Sequence, residues 1–478
     1  MSSLHRSIYS PIFSLGFAFG VWLLWGSVAL GDITLSRIFS DDMVLQRHAK
    51  IKVWGTAEPS QKLVIKFNEK EIKATANAKG EWFAFLLTEK AGGPYNLEVA
   101  AEQGEPKVVF SNVMVGDVWL CAGHNMEWPV SKALNAETEI EFSKNFPSIR
   151  LFSIGNHASV LPLDDFAKVE HWRVSAPESV KDFSATAYFF GRELSKGIKD
   201  IPIGLIDASW EYSVCEAWCS RKSLDQVNSL APLLKHWDES EKTPTDEKRP
   251  GILYNGMIAP LKDFPIRGVA WYQGESNHGR GHQYATLLPT LIADWRKTFG
   301  EKIPFYIVQL APHRYKGESP TGLAEIWDAQ LKTVKQIENT AMVVTTDIGS
   351  AEDIHPKNPQ TVGKRLSLVA LADVYKKERV DADKEIVASG PIFDSISTNK
   401  DRIRVIFKHA KGLKKINDDN PISNFLICGE DGVYMPAEAK IDGEVIEVSS
   451  NKVKNPTHVR YCWNDWFEPN LVLSLIHI

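Results

Sequence analysis

The stretch Val113 to Trp128, V-M-V-G-D-V-W-L-C-A-G-H-N-M-E-W, decides how the rest of the chain is read. Val115 to Leu120 is an apolar run of strand length that stops at Cys121-Ala122-Gly123. A polar turn and an acidic-aromatic pair follow. In an α/β protein this is the form of a first core strand ending in a turn that carries a nucleophile. A serine is expected just before Asn125, and His124 stands there instead.

Downstream, to about Lys377, apolar strand-like runs alternate with helical patterns. The further strand candidates are Ile201 to Ile206, Arg267 to Tyr272, Phe305 to Leu310 and Met342 to Thr346. Tyr284, Leu287, Leu288, Leu291, Ile292 and Trp295 share one helical face, and so do Val362, Leu366, Val369, Ala370 and Val374. That rhythm predicts a doubly wound parallel sheet with function at the carboxyl ends of its strands. Upstream, from Asp32 to Asn112, short alternating runs punctuated by Gly, Pro and Asn predict a small antiparallel β-sandwich. Alternation returns from about Val387 and predicts a second β module. The expected division is 1–31 leader, 32–112 β-sandwich, 113–380 α/β domain and 381–478 C-terminal β domain.

The bulk properties narrow the classes. A chain of 478 residues, 44% hydrophobic, has ample material for two or three domains. A net charge of -5 argues against nucleic acid or an anionic membrane as partner. Ile12 to Leu30 is nearly all apolar after His5 and Arg6, and Ala29-Leu30-Gly31 is a small-x-small cleavage site. That is a secretory leader, which predicts a secreted or periplasmic protein, with an uncleaved membrane anchor as the alternative. Five cysteines allow at most two disulfides, and their spacing does not choose the pairs. Cys215 and Cys219 lack a second pair at metal spacing, so neither metal nor other cofactor is expected.

The strand ends hold the chemistry. The run Arg267 to Tyr272 continues into Gln273, Gly274, Glu275, Ser276 and Asn277, a polar cluster after a residue that permits a tight turn. The last core strand runs into D-I-G-S-A-E-D-I-H-P, where Asp353 and His355 have the spacing of a carboxylate and the imidazole base it orients.

With these residues on the page, the chain resembles the sialate O-acetylesterase family of the SGNH hydrolase superfamily. The matching segments are F-S-D-D-M-V-L-Q-R (Phe39 to Arg47), G-D-V-W-L-C (Gly116 to Cys121), N-M-E-W-P-V (Asn125 to Val130), F-F-G-R-E-L (Phe189 to Leu194), Y-N-G-M-I-A-P-L (Tyr254 to Leu261), W-Y-Q-G-E-S-N (Trp271 to Asn277), D-I-H-P-K-N (Asp353 to Asn358) and V-R-Y-C-W (Val459 to Trp463). The resemblance implies an SGNH, flavodoxin-like parallel sheet and removal of O-acetyl groups from sialic acids or related sugars, by an acyl-serine route without a metal. It implies His355 as base with Asp353 as its orienter. Gly123, Asn125, Gln273, Gly274, Glu275 and Asn277 become oxyanion and substrate positions, with Gln273 or Asn277 the side-chain donor.

Two of the family's blocks are altered here. Where the family has G-Q-S-N-M, this chain has Gly123-His124-Asn125-Met126, one residue shorter and without the serine. Where it has S-W-G-G-T, this chain has Ser209-Trp210-Glu211-Tyr212-Ser213. Glu211 and Tyr212 are not expected to accept the positive φ that glycine allows, and a Glu211 carboxylate repels a developing oxyanion. Two readings follow. One is a carbohydrate esterase of reduced activity, and the other is a catalytically inactive, carbohydrate-binding relative. The closing hexapeptide, Leu473 to Ile478, departs from the family pattern, and the C-terminal module is expected to be cut short there.

Overall fold

The computed structural model describes residues 32–416 and 420–473; the expected leader and residues 474–478 lie outside them. Six strands make the parallel part of the central sheet, with the short strand Arg173–Val174 antiparallel at one edge: β1 (Lys107–Gly123), β2 (Ile149–Ser153), β3 (Ile203–Ser209), β4 (Gly268–Trp271), β5 (Phe305–Val308) and β6 (Thr340–Val343). Their order is β2-β3-β1-β4-β5-β6, and every pair is parallel. The chain leaves β1 toward β2 and β3, then returns across it to β4. The carboxyl end of β1 is therefore the point where the winding reverses, the place where open α/β sheets leave a crevice. Four helices pack in two pairs, α1 (Ala185–Gly197) with α4 (Pro359–Asp373), and α2 (Gly281–Phe299) with α3 (Gly322–Gln336).

The first strand has two characters. From Lys107 to Asn112 exposed and partly buried residues alternate, Val113 is buried beside a half-buried Met114, and from Val115 to Gly123 every residue is buried. The first half pairs antiparallel with the strand Gly92–Ala101 and the second is flanked by β3 and β4. An alternating strand has one wet face, and a continuously buried one is covered on both. The boundary expected at Asn112/Val113 thus falls inside one unbroken strand.

The N-terminal region forms two sheets. Thr34–Leu35, Lys50–Thr56 and Glu81–Leu87 make one; Lys62–Phe67, Lys70–Thr75 and Gly92–Ala101 extend the other from β1. The segment Phe39 to Arg47 fastens this region to the α/β part. Val44–Gln46 runs parallel to β1, the Gln46 side chain accepts the Val118 N–H at 2.9 Å, and the Arg47 Nε lies 3.0 Å from both oxygens of the fully buried Asp117. A buried carboxylate needs such partners, because leaving it unpaired costs several kcal/mol, about 3–5. One continuous core runs from Ile33 to Tyr375 and takes in Cys462 and Phe467 from the C-terminal region.

The C-terminal region has its own small core around Ile403, Val405, Phe425, Ile427, Ile446 and Val448. Its main sheet joins Ile392–Asn399, Arg402–Lys408, Val445–Ser449 and Glu438–Asp442, and Phe425–Cys428 pairs with His458–Tyr461 in another. Part of the turn expected at Asp418 to Asn420 lies outside the described residues. All five cysteines are buried and free.

Candidate active site

The site is built where β1, β3 and β4 end side by side. Gly123 closes β1 at φ 116°, and a Cβ there would stand 2.4 Å from the Tyr272 carbonyl oxygen. Only glycine lets the strand turn this close to β4. The turn that follows, His124–Glu127, is a single 3₁₀ turn, and the Asn125 N–H donates to the Tyr272 oxygen at 3.1 Å. Ser209, the last residue of β3, lies level with Gly123 and brings Glu211 and Tyr212 over the elbow.

His124 does not project into the cleft as a nucleophile would. It is 1% exposed, and its Nδ1 accepts the backbone N–H of Tyr212 at 2.6 Å. That bond fixes the tautomer, because a nitrogen that accepts cannot carry the proton, so Nε2 does. Nε2 has no hydrogen-bond partner among the described residues. Burial, with a smaller effect from the neighbouring His355, pushes the His124 imidazole down to about 3, so it is neutral at any physiological pH.

The second block is filled in the same way. Glu127 accepts the Glu211 N–H, so a carboxylate occupies one backbone amide and an imidazole the other. Tyr212 does adopt the left-handed conformation, at φ 60°, contrary to the expectation from its side chain. Its ring escapes crowding by standing in solvent, 57% exposed. Such backbone costs a non-glycine residue about 1–2 kcal/mol.

The polar cluster after β4 faces inward. Gln273 Nε2 donates to the Ser213 carbonyl at 3.0 Å and to Asn277 Oδ1 at 2.8 Å. Asn277 Nδ2 donates to Glu216 at 2.9 Å, and its Oδ1 accepts the Cys215 N–H at 2.9 Å. Both side chains are fully buried and tie β4 to the segment after β3. Gln273 thus spends both of its amide N–H groups inside the protein, and Asn277 spends one on Glu216. Asn125 Nδ2 donates to Glu275, whose carboxyl burial pushes up to about 7 against bonds from its own amide, Gly274 and Asn125. Gly274 turns at φ 155°.

His355 is the imidazole that meets the cleft. Its side chain is 12% exposed, with Nε2 3.9 Å from Glu211 Oε1 and Nδ1 3.8 Å from Asp353 Oδ1. The second distance is too long for a hydrogen bond, and Asp353 instead accepts the backbone N–H of His355 at 3.0 Å. Catalytic bonds of this kind are commonly long before substrate arrives. The ring is held by stacking on Trp128, centroids 4.3 Å apart and planes 11° from parallel. Burial lowers the His355 pKa, and the carboxylates of Glu211 and Asp353 oppose it without winning, so the ring is neutral at pH 7 and free to take a proton.

The site therefore unites His355, Asp353, Gly123, Asn125, His124, Glu211 and Tyr212, with Gln273, Gly274, Glu275 and Asn277 as its floor. Two working residues were not assigned from sequence: Glu127, which occupies the Glu211 amide, and Trp128, which orients His355. Both lie in N-M-E-W-P-V, a segment whose family likeness was the only signal. Among the described residues no group of three or more His, Cys, Asp or Glu is placed to hold a metal ion.

Known proteins share this architecture. The family of carbohydrate esterases described as sialic acid-specific acetylesterases matches residues 168–371. The human sialate O-acetylesterase is 28% identical, over 93% of this chain and 90% of the human protein; the mouse one is also 28% identical, over 89% and 88%. The crystal structure of a carbohydrate acetylesterase from Xanthomonas citri is 32% identical, covers 92% of this chain and 96% of its own, and superposes with a TM-score of 0.82. The chain belongs to the sialate O-acetylesterase family.

Proposed function

We propose that this chain is a slow carbohydrate esterase that takes O-acetylated sugars, sialic acids among them, into an SGNH-type cleft on a flavodoxin-like sheet. It works without an acyl-serine intermediate. One observation carries this reading: His355 keeps a neutral, accessible ring beside Asp353, while the elbow that should hold serine holds a buried His124. His355 then acts on water. Its Nε2 takes the water proton as the oxygen bonds to the acetyl carbon, and returns it to the departing sugar oxygen, leaving acetate and a free hydroxyl. Loss of a triad nucleophile leaves roughly 10³–10⁴-fold catalysis over water, and a lost oxyanion donor costs about 10²–10³-fold. With the leader at 1–31, the protein acts outside the cytoplasm.

Acetate release from an aryl acetate and from O-acetylated sialic acid tests this. The parent is expected to turn over slowly, and His355→Ala to lose at least about 10²-fold, the usual worth of a general base. Replacing His124 by Gln-Ser is expected to raise the rate. A parent rate that His355→Ala leaves untouched overturns the reading.

A second reading has its own observation. The Tyr212 and Glu211 backbone amides are occupied by protein side chains, His124 and Glu127. A site plugged in this way binds acetylated sugar without hydrolysing it. It is distinguished by a sugar-dependent rise in melting temperature with no acetate released.

A further inference from the structure

The cleft has a wall that no motif announced, and one residue far along the chain holds it. Asp465 is 4% exposed and makes four bonds to two segments, one at His278 and the other at 312–323. Its Oδ1 accepts the Leu323 N–H at 2.8 Å, its Oδ2 lies 2.9 Å from His278 Nε2, its N–H donates to the Pro320 oxygen at 2.7 Å, and its carbonyl accepts the His313 N–H at 3.0 Å. His278 directly follows the polar cluster after β4. Its Nδ1 reaches Glu318 at 2.5 Å, and its ring stacks on Tyr315 with centroids 4.0 Å apart.

The segment gripped in this way, 312–323, leans on the loop that carries the base. The His313 Nδ1 bonds the Ser350 carbonyl at 3.0 Å. A Cβ on Gly349 would stand 2.3 Å from the Pro312 oxygen, so the two loops touch backbone to backbone. Arg314 and Lys316 reach Glu352 at 3.5 and 3.6 Å. Asp353 and His355 come next in the chain. Their own contact is loose, so the position of the ring depends on what stands behind the loop.

We infer that Asp465, acting with His278, is a positioning residue that holds the loop bearing His355 through the segment 312–323, making the C-terminal region part of the active-site framework. In its role for catalysis this rests on the function proposed above; its structural half does not. The groups facing His278 are Asp465, Glu318 and the Tyr315 ring. His313 meets the Tyr315 ring edge-on, with centroids 5.1 Å apart. On the histidine's own segment Arg280 is turned away to Glu216, at 2.8 Å, and Glu275 bonds Asn125.

The test uses the full chain with Asp465→Asn and, separately, His278→Gln, which leaves every backbone bond of Asp465 in place. Amide hydrogen exchange at pH 6 is read over 312–323, over 347–356 and over β4 and β5, alongside phenyl acetate hydrolysis. The expected result is exchange about tenfold faster in both loops, unchanged in the strands, and kcat several-fold lower with KM nearly constant. Faster exchange in 312–323 alone overturns the inference, because Asp465 then only anchors its own neighbours. Faster exchange in both loops with kcat unchanged, in an active parent, overturns it too. If the parent releases no acetate, the function proposed above has failed and the exchange pattern alone decides this one. Should Asp465→Asn fail to fold, His278→Gln decides.

Discussion

At the scale of single residues, the altered positions interlock. His124 replaces a nucleophile, yet its present bond is to the Tyr212 amide, so the two substitutions share one hydrogen bond. Tyr212→Gly should relieve left-handed strain of about 1–2 kcal/mol and return about 0.5–1 kcal/mol of it as unfolded-state entropy. A small rise in the chemical-denaturation midpoint is expected, and a fall would show that the exposed ring earns its place. Two buried groups set opposite pH trends. His124 has its folded pKa depressed to about 3, so the unfolded chain binds the proton more readily between that value and the ordinary 6.5. Stability therefore falls as pH drops through this window, by at most about 1.4 kcal/mol per unit. His124→Gln should flatten the melting-temperature curve between pH 6 and 4. Glu275 is raised to about 7, so its penalty appears as pH climbs from the ordinary 4.5 through 7. Glu275→Gln should gain on the parent at pH 8 relative to pH 5, and equal differences at both would rule out an ionising Glu275. The missing serine and the lost glycines were legible in the sequence, because each sits in a motif. The plugging of the amides was not, because the partners His124 and Tyr212 lie 88 positions apart and meet only when β1 and β3 align.

At the scale of elements, strands were legible where burial is continuous. Val115 to Leu120 and Phe305 to Leu310 announce themselves as mostly apolar runs, interrupted only at Gly116, Asp117 and Gln309, and the faces read for α2 and α4 are buried as drawn except for Val374, which is half-buried just past the end of α4. The strand β2 escaped notice because it is five residues long and interrupted by Arg150, which folds back at 3.3 Å to Asp42. The turn at Gly123 is where strand and site are joined. Gly123→Ala sets a Cβ against the Tyr272 oxygen in a backbone conformation that L residues rarely adopt. The neighbour is backbone and cannot swing aside, so a loss of roughly 1–3 kcal/mol is expected, as for other overpacked sites. Urea titration of the variant checks it, and an unchanged midpoint would mean that β1 and β4 can part at no cost. The His278 bridge adds a pH signature of its own. Burial works to lower its pKa, but Asp465 and Glu318 outweigh burial and the result is raised. Its contribution is then fully present below the ordinary 6.5 and fades as pH rises through the raised value. The melting-temperature gap between the parent and His278→Gln should be widest near pH 6 and narrow in alkaline buffer.

At the scale of the whole molecule, the sequence suggests three bodies and the structure has two cores. The N-terminal sheets share theirs with the α/β region, because β1 runs through both and Asp117 binds Gln46 and Arg47 across the seam. No change of composition marks that seam, so alternation alone could not reveal that the two halves are fused. The C-terminal region keeps a separate core, with its first strand, Ile392–Asn399, exposed along its whole length. What fastens it to the larger body includes the Asp465 bonds and Phe467, whose ring meets Trp327 edge-on at 5.6 Å. Small cores hold little stability in reserve, so this region should melt first, in a calorimetric transition of its own below that of the fused body. Phe467→Ala removes a buried ring of a kind worth about 3–5 kcal/mol. It should lower the first transition and leave the second in place. A single transition that moves as a whole would mean that the cores are coupled into one cooperative unit. In that case the bonds around Asp465 join two bodies that already unfold together, and any disturbance of the C-terminal region would reach His355 through global stability instead of through the wall of the cleft.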